Sequence, residues 1–305
     1  MPTGLITLLV ALSPLVWGST YLVTTEWLPA ERPFWAAVIR TLPAGLLLIL
    51  WSRYLPARNQ WLKLLVLAVL NIACFQTLLF IAAYRLPGGI AALIGSVQPI
   101  LVMLFVWFSL NIRPAKAAVI AALVAIFGMY LLLNTPGNSW DQWGAMAAFV
   151  GAISMAAGSF YTRQWQLQLP LLALTGWQLL LGGLLLLPFA LLTEAAPWPL
   201  SAEQLYGYGY LSLVGTLLTY ALWFWGLRSL NTVAVSALGL LSPLMAVILG
   251  WLVLDQTLNH QGIAAMSMVL ISVLALQWIQ SKPQPQSNSS NTSTAPTLKT
   301  KEDIL

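Results

Sequence analysis

Residues 86 to 111 read L-P-G-G-I-A-A-L-I-G-S-V-Q-P-I-L-V-M-L-F-V-W-F-S-L-N. A helix needs about 20 apolar residues to cross the hydrocarbon core, and this run supplies them. Yet it carries a proline near its middle. Pro99 has no N–H to donate, so the carbonyl of Gly95 loses its helical partner and the helix must kink. The arrangement returns at residues 230 to 255. At an offset of 144, Leu86, Gly95, Pro99, Trp107 and Leu110 fall on Leu230, Gly239, Pro243, Trp251 and Leu254. In lipid, a broken backbone persists only where protein or a water-filled cavity satisfies it. Paired interrupted helices in two halves of a chain point to the substrate site of a transporter. Gly95, Pro99, Gly239 and Pro243 are therefore the expected hinges.

The rest of the chain must be read as membrane too. Only 7% of residues are charged and 59% are hydrophobic, with a mean hydropathy of +0.83, whereas a soluble domain carries roughly 25% charged residues. Apolar runs fall at 4–24, 33–52, 62–82, 88–110, 116–134, 142–160, 170–192, 205–226, 232–254 and 261–280. The expected fold is an all-α polytopic membrane protein of ten transmembrane helices. The first run has no basic leader and no clear cleavage site, so it reads as a retained span. Cys74 is the one cysteine and is expected as a buried apolar thiol.

Ten spans place both termini on one side. That side carries Arg53, Arg58, Lys63, Arg113, Lys116, Arg163, Arg228, Lys282, Lys299 and Lys301; the other carries Arg32 and Arg85. The positive-inside bias makes both termini cytoplasmic. Further matches support duplication: at offset 138, Arg40, Ala44 and Gly45 fall on Gln178, Gly182 and Gly183. At offset 140, Gly18-Ser19-Thr20-Tyr21 falls on Gly158-Ser159-Phe160-Tyr161. Residues 5–134 and 143–279 are thus two five-helix repeats, and an odd number of spans per repeat inverts one against the other. Residues 281–305 read as a disordered cytoplasmic tail, polar and without an apolar face.

Few side chains inside the spans can do chemistry. Arg40 is the basic residue deep within one, at a cost of at least ~2.5 kcal/mol. It reads either as a contact to an anionic substrate group or as a structural arginine tied to backbone carbonyls. Gln98 and Ser242 each precede a kink proline and are expected to face the pathway. Asn71, Gln76, Ser96 and Ser154 lie at or near midplane depth; for Asn71, Gln76 and Ser154, interhelical bonding and the pathway stand as equal readings. Most of the 15 tryptophans fall near span ends, as an aromatic belt. Trp17 and Tyr220 sit deeper, as candidate cavity walls. Small residues every fourth position, at Gly144, Ala148, Ala152 and Ala156 and at Ala117, Ala121 and Ala125, read as helix packing. No catalytic motif, P-loop or metal-ligand cluster occurs; His260 stands without a second histidine. No cofactor and no metal is expected.

Trp17-Gly-Ser-Thr-Tyr21, the run from Arg40 through Ala44-Gly45-Leu46-Leu47-Leu48, and the duplicated Gly-x-x-x-Pro helix together resemble the EamA family of the drug/metabolite transporter superfamily. The resemblance covers both halves and leaves out the tail. It implies a ten-helix carrier of the bacterial inner membrane, often an exporter of amino acids, other metabolites or drugs. Two positions depart from the family: Asn111 stands where an acid is frequent, though Asp255 occupies the second copy, and Thr25 stands where a lysine is frequent. Roles given to those charges elsewhere do not carry over.

The expected function is export of a small molecule by alternating access, with a membrane-embedded enzyme acting on a lipid-linked substrate as the rival. Expected partners are the substrate and the lipid bilayer, with a homodimer left open and no nucleic acid. Glu26 and Asp255 are the acids closest to a span interior, both near the outer boundary, so the sequence supplies no mid-membrane proton carrier. The topology is testable. A reporter active only in the periplasm should be active when fused after Asn138 or Gln204 and silent after Arg58 or Lys282; the reverse pattern would remove both the orientation and the inverted repeat.

Overall fold

The computed structural model describes residues 2–133, 140–229, 238–256 and 259–281. The loop around Asn138, residues 230–237 of the second copy and the tail from residue 282 lie outside the described residues. Within them the secondary structure is helical, without strands. We label the helical rods in chain order. Rod α1 spans Thr3–Trp27, α2 Pro33–Ser52, α3 Arg58–Arg85 and α4 Gly88–Leu110. Rod α5 is Lys116–Leu133, α6 Gln142–Trp165 and α7 Leu171–Thr193. Rod α8 joins Ala202–Gly209, Tyr210–Leu218 and Thr219–Ser229; α9 is Leu241–Leu254 and α10 His260–Ser281. Among the described residues six helices (α1, α2, α3, α4, α6 and α7) are long and apolar enough to cross a membrane. Shorter apolar helices lie in α5, α9 and α10.

Burial in this bundle runs opposite to that of a water-soluble protein. Its interior is rich in small residues, with Ala36, Ala37, Ala44, Ala125 and Ala156 each fully buried. Its surface presents large apolar side chains, Leu192 and Trp51 being 85% and 81% exposed. Such a surface suits lipid, and small residues inside let helix backbones approach. Cys74 is exposed rather than buried. An apolar side chain gains little from leaving hydrocarbon, so hydrophobicity does not select the interior here.

Helix pairing follows a regular exchange. Rod α2 packs on α7, α5 on α10, and the first half of α4 on α9; α1 meets α8 and α9, while α6 meets α3 and α4. Adding five to each rod number, counted round the set, returns the first three pairings to themselves and exchanges the two contacts of α1 with the two of α6. At the α2–α7 crossing the reciprocity reaches single residues. A Cβ on Gly45 would lie 2.6 Å from the Leu180 backbone N, and one on Gly183 would lie 2.6 Å from Leu42 Cδ2. Offset 138 relates both the two glycines and the two leucines. Of the small-residue stripes, Ala121 and Ala125 are buried in the α5–α10 region, but Ala117 is exposed.

The kink expected before Pro99 is a full interruption. Rod α4 stops at Gly95, makes a tight turn in which the Val97 N–H donates to Ile94 at 3.3 Å, and resumes at Gln98 with Pro99 in its first turn. Proline fits that position because the first-turn N–H groups have no helical partner. Rod α9 starts at Leu241, after a turn at Gly239 and Leu240, with Pro243 in its first turn. At the far ends, Asn111 and Asp255 occupy equivalent left-handed caps with φ of 55° and 51°, a conformation that Asn and Asp adopt more readily than most residues.

Carboxylates tie helix ends together. Asp141 caps α6 by accepting from the Gly144 N–H at 2.7 Å and pairs with Arg85 at 3.1 Å. The Gly144 N–H, then Arg85, holds its carboxyl below the usual carboxylate range. Glu194, at the end of α7, accepts from the N–H groups of Phe34 and Trp35 at 2.8 Å each and so caps α2. Glu194→Ala should lower the unfolding midpoint in detergent by an amount equivalent to about 1 kcal/mol, the usual value of a lost cap. Glu26→Ala, at an exposed position, should leave it unchanged.

Candidate functional site

Two rods leave α geometry at matching places. Val69–Cys74 in α3 and Tyr210–Leu218 in α8 form π turns, in which each N–H reaches back five residues. The wider turn misaligns carbonyls, which then accept from side chains. Leu70 O accepts from Ser154 Oγ at 2.8 Å. Gly215 O accepts from Arg40 Nη2 at 3.1 Å, Trp17 Nε1 at 3.2 Å and Thr219 Oγ1 at 2.9 Å. With no side chain at Gly215, three donors from α1, α2 and α8 can converge on that oxygen.

Arg40 is 3% exposed. Its Nε donates to Thr216 Oγ1 at 2.9 Å, and its guanidinium lies 5.9 Å from the Phe80 ring centre. Nη1 is buried and has no hydrogen-bond partner. The carbonyl that holds Arg40 belongs to the π turn of α8 and not to its own helix. The repeat-related position has the same architecture with neutral groups. Gln178 Oε1 on α7 accepts at 2.8 Å from Asn71 Nδ2 in the π turn of α3, and Asn71 Oδ1 is left unpartnered.

Between these two clusters lies a cavity of about 860 Å³. Its lining includes Trp17, Arg40, Asn71, Gln76, Ser96, Gln98, Tyr220 and Ser242, and also Gly95, Pro99, Gly239 and Pro243. A Cβ on Gly95 would meet nothing within 4 Å, so the break in α4 faces open space. Ser154 is not in the lining; its bond to Leu70 turns it toward α3. Gln98 Nε2 donates to Ser159 Oγ at 3.2 Å, and Ser96 Oγ to the Leu93 carbonyl at 2.7 Å. Trp17 packs on Tyr220 and Trp223, with ring centres 5.7 and 5.2 Å apart, making an aromatic wall.

Several lining residues are not among those singled out from sequence: Thr20, Phe75, Ser159, Thr162, Arg163, Thr175 and Trp223. Trp223 follows Tyr220 by three residues and shares its helix face, a spacing that could have flagged it. Ala148 and Ala152, expected as packing alone, also line the cavity. At one end the lining reaches Arg163 and Leu171, beside the α6–α7 connection. Lys63, near the start of α3, lies 5.9 Å from the Trp165 ring at that same end.

A helical bundle with a lipid-suited surface, around a largely apolar cavity of this size that carries a guanidinium, amides and hydroxyls, has the form of a multi-pass membrane transporter. The chain belongs to the EamA-like transporter family, whose profile matches residues 4–134 and 142–278. It is 42% identical over 267 residues to Protein PecM of Dickeya dadantii (strain 3937), covering 87% of this chain and 90% of that one. It is 26% identical over 266 residues to the uncharacterized inner membrane transporter YedA of Escherichia coli (strain K12), covering 85% and 86%. Among solved structures, one described as a crystal structure of protein matches with a TM-score of 0.61 at 20% identity, over 92% of this chain and 97% of that one. At that identity the likeness bears on the fold alone. Family and apolar helices together make this a multi-pass protein of the bacterial inner membrane.

The clamp on Arg40 gives a direct test. Thr216→Val keeps the shape and removes the acceptor for Nε, leaving a buried charged donor unpaired. It should cost about 1–3 kcal/mol, read as a lower unfolding midpoint in detergent. Thr25→Val, which loses only two exposed bonds to its own helix, should not move the midpoint.

Proposed function

We propose that this chain is a secondary transporter, not an enzyme, that exports a small metabolite, amino acid or drug-like compound by alternating access. Ten spans form two inverted five-helix repeats around the cavity, with both termini cytoplasmic. The observation that carries this reading is the cavity itself, lined from both matched halves and bordered by the interrupted helix α4 and the turn that opens α9. Breaks in spanning helices are tolerated where they border a cavity, and in transporters they mark the site about which the repeats rock.

The exchange symmetry of the helix pairings supports the inverted repeat. A bundle whose two halves make equivalent contacts can trade conformations between them, which opens one end as the other closes. The described lining reaches the α6–α7 end, where the basic residues of the sequence gather, so this conformation is read as facing the cytoplasm. Against the rival reading of a lipid-linked enzyme, the family is one of EamA-like transporters and YedA is named a transporter, and the lining offers a guanidinium, amides and hydroxyls, groups that bind rather than exchange protons near neutral pH. Coupling then runs through the substrate's own charge, or transport is passive.

Counterflow into proteoliposomes loaded in turn with amino acids, purines, organic acids and cationic dyes tests the reading. Flux of at least one class is expected, slowed several-fold by Pro99→Ala or Pro243→Ala, because alanine can restore a helix bond and join the two segments of its rod. Wild-type rates in either variant would exclude a hinge in that helix. No flux with any class would overturn the transport reading.

A further inference from the structure

Arg40 poses an electrostatic problem that the protein leaves open. Its guanidinium is 3% exposed, and the groups holding it are neutral: a hydroxyl, a carbonyl and an aromatic face. Among the described residues, the ion pair formed is Arg85 with Asp141, at the end of α3 and far along the sequence from Arg40. Burying a charge without a counter-charge is costly, and an arginine does not escape by losing its proton. Two arms of the fork are occupied, and Nη1 keeps donors without an acceptor while Arg40 stands in the cavity lining. Thr20, also in the lining and 2% exposed, has an unpartnered hydroxyl. The charged side chains in the described lining are Arg40 at depth and the exposed Arg163 near the α6–α7 end; no Asp, Glu or His accompanies them. A path with this charge pattern draws anions inward and repels cations.

We propose that Arg40 Nη1 is the inner wall of an anion subsite, and that the transported solute carries a carboxylate or similar anionic oxygen group that docks there. This rests on the transporter reading and narrows it: organic cations are excluded as cargo. The repeat-related Gln178–Asn71 pair supplies amide groups without charge, so the cavity is electrically asymmetric along its length. An anionic group satisfies Nη1, and Thr20 offers a second donor within the same cavity. The guanidinium is held in place by Gly215 and Thr216 before any solute arrives, so little ordering is needed on binding.

The test uses the full-length protein in lipid nanodiscs and follows its unfolding midpoint. Sodium benzoate is exchanged for sodium chloride at constant ionic strength; separately, sodium chloride and tetraphenylphosphonium chloride are titrated from low salt. A saturable rise with benzoate, absent with tetraphenylphosphonium beyond its chloride, supports the subsite. A rise with chloride alone as large as that with benzoate assigns the subsite to a free inorganic anion and overturns the substrate-carboxylate part. Arg40→Gln, which brings in the side-chain type of the repeat partner Gln178, should weaken the benzoate response about tenfold or more. Arg40→Lys keeps the charge but loses the fork, and should retain a weakened response; it serves if Arg40→Gln does not fold. No anion response in the wild type, or an equal response in Arg40→Gln, overturns the proposal. In proteoliposomes, robust flux of cationic dyes unaffected by Arg40→Gln would also sink it while leaving transport standing, whereas no flux of any class removes the transport reading instead.

Discussion

One carbonyl oxygen organises the centre of this molecule. In lipid there is no water to satisfy a backbone group that leaves its helix, so each departure from α geometry must be answered by protein or by a wet cavity. The π turn of α8 releases Gly215 O, and Trp17, Arg40 and Thr219 answer it. That contact joins α1, α2 and α8 and holds a guanidinium against the cavity. The matching π turn of α3 is answered by Ser154, and Asn71 within that turn reaches Gln178. The two turns do the same structural work, and the side chains recruited by them give the two sides of the cavity different chemistry.

The same constraint explains why the break in α4, the turn before α9 and the π turn of α3 border one space, with Arg40 carrying the π turn of α8 to it. Each break would be costly against lipid and is tolerable where it borders a cavity. Irregularity gathers near the cavity: Arg40, Asn71 and Gln76 stand in its lining and each keeps a buried polar atom without a partner. The large apolar side chains that would fill a soluble core lie on the outside instead, and alanines and glycines hold the rods together.

Much of the site can be read from the chain. Arg40 and Trp17 stand out because a charge or an indole deep in a span needs a reason, and Pro99 and Pro243 because a proline must interrupt a helix. Ser154 shows where such reasoning stops. Its depth matches that of the lining residues, but its rotation about α6 turns it to a carbonyl on α3. Cys74 shows the same limit, since in a bilayer an apolar residue is at home on either face. The π turns carry no sequence mark that propensity could detect, because they follow from which neighbours can donate to a freed carbonyl.

The sequence by itself determined that this chain spans a membrane repeatedly, that its halves correspond, and which two helices must break. Those properties depend on length, apolarity and the missing N–H of proline, all local to the chain. Tertiary structure alone decided which polar side chains share a cavity, that Arg40 is clamped by α8 rather than by its own helix, and that Nη1 is left open. Those properties depend on helix rotation and on contacts between residues such as Arg40 and Gly215, 175 positions apart. A local pattern fixes the depth of such a residue in the bilayer but not what it faces.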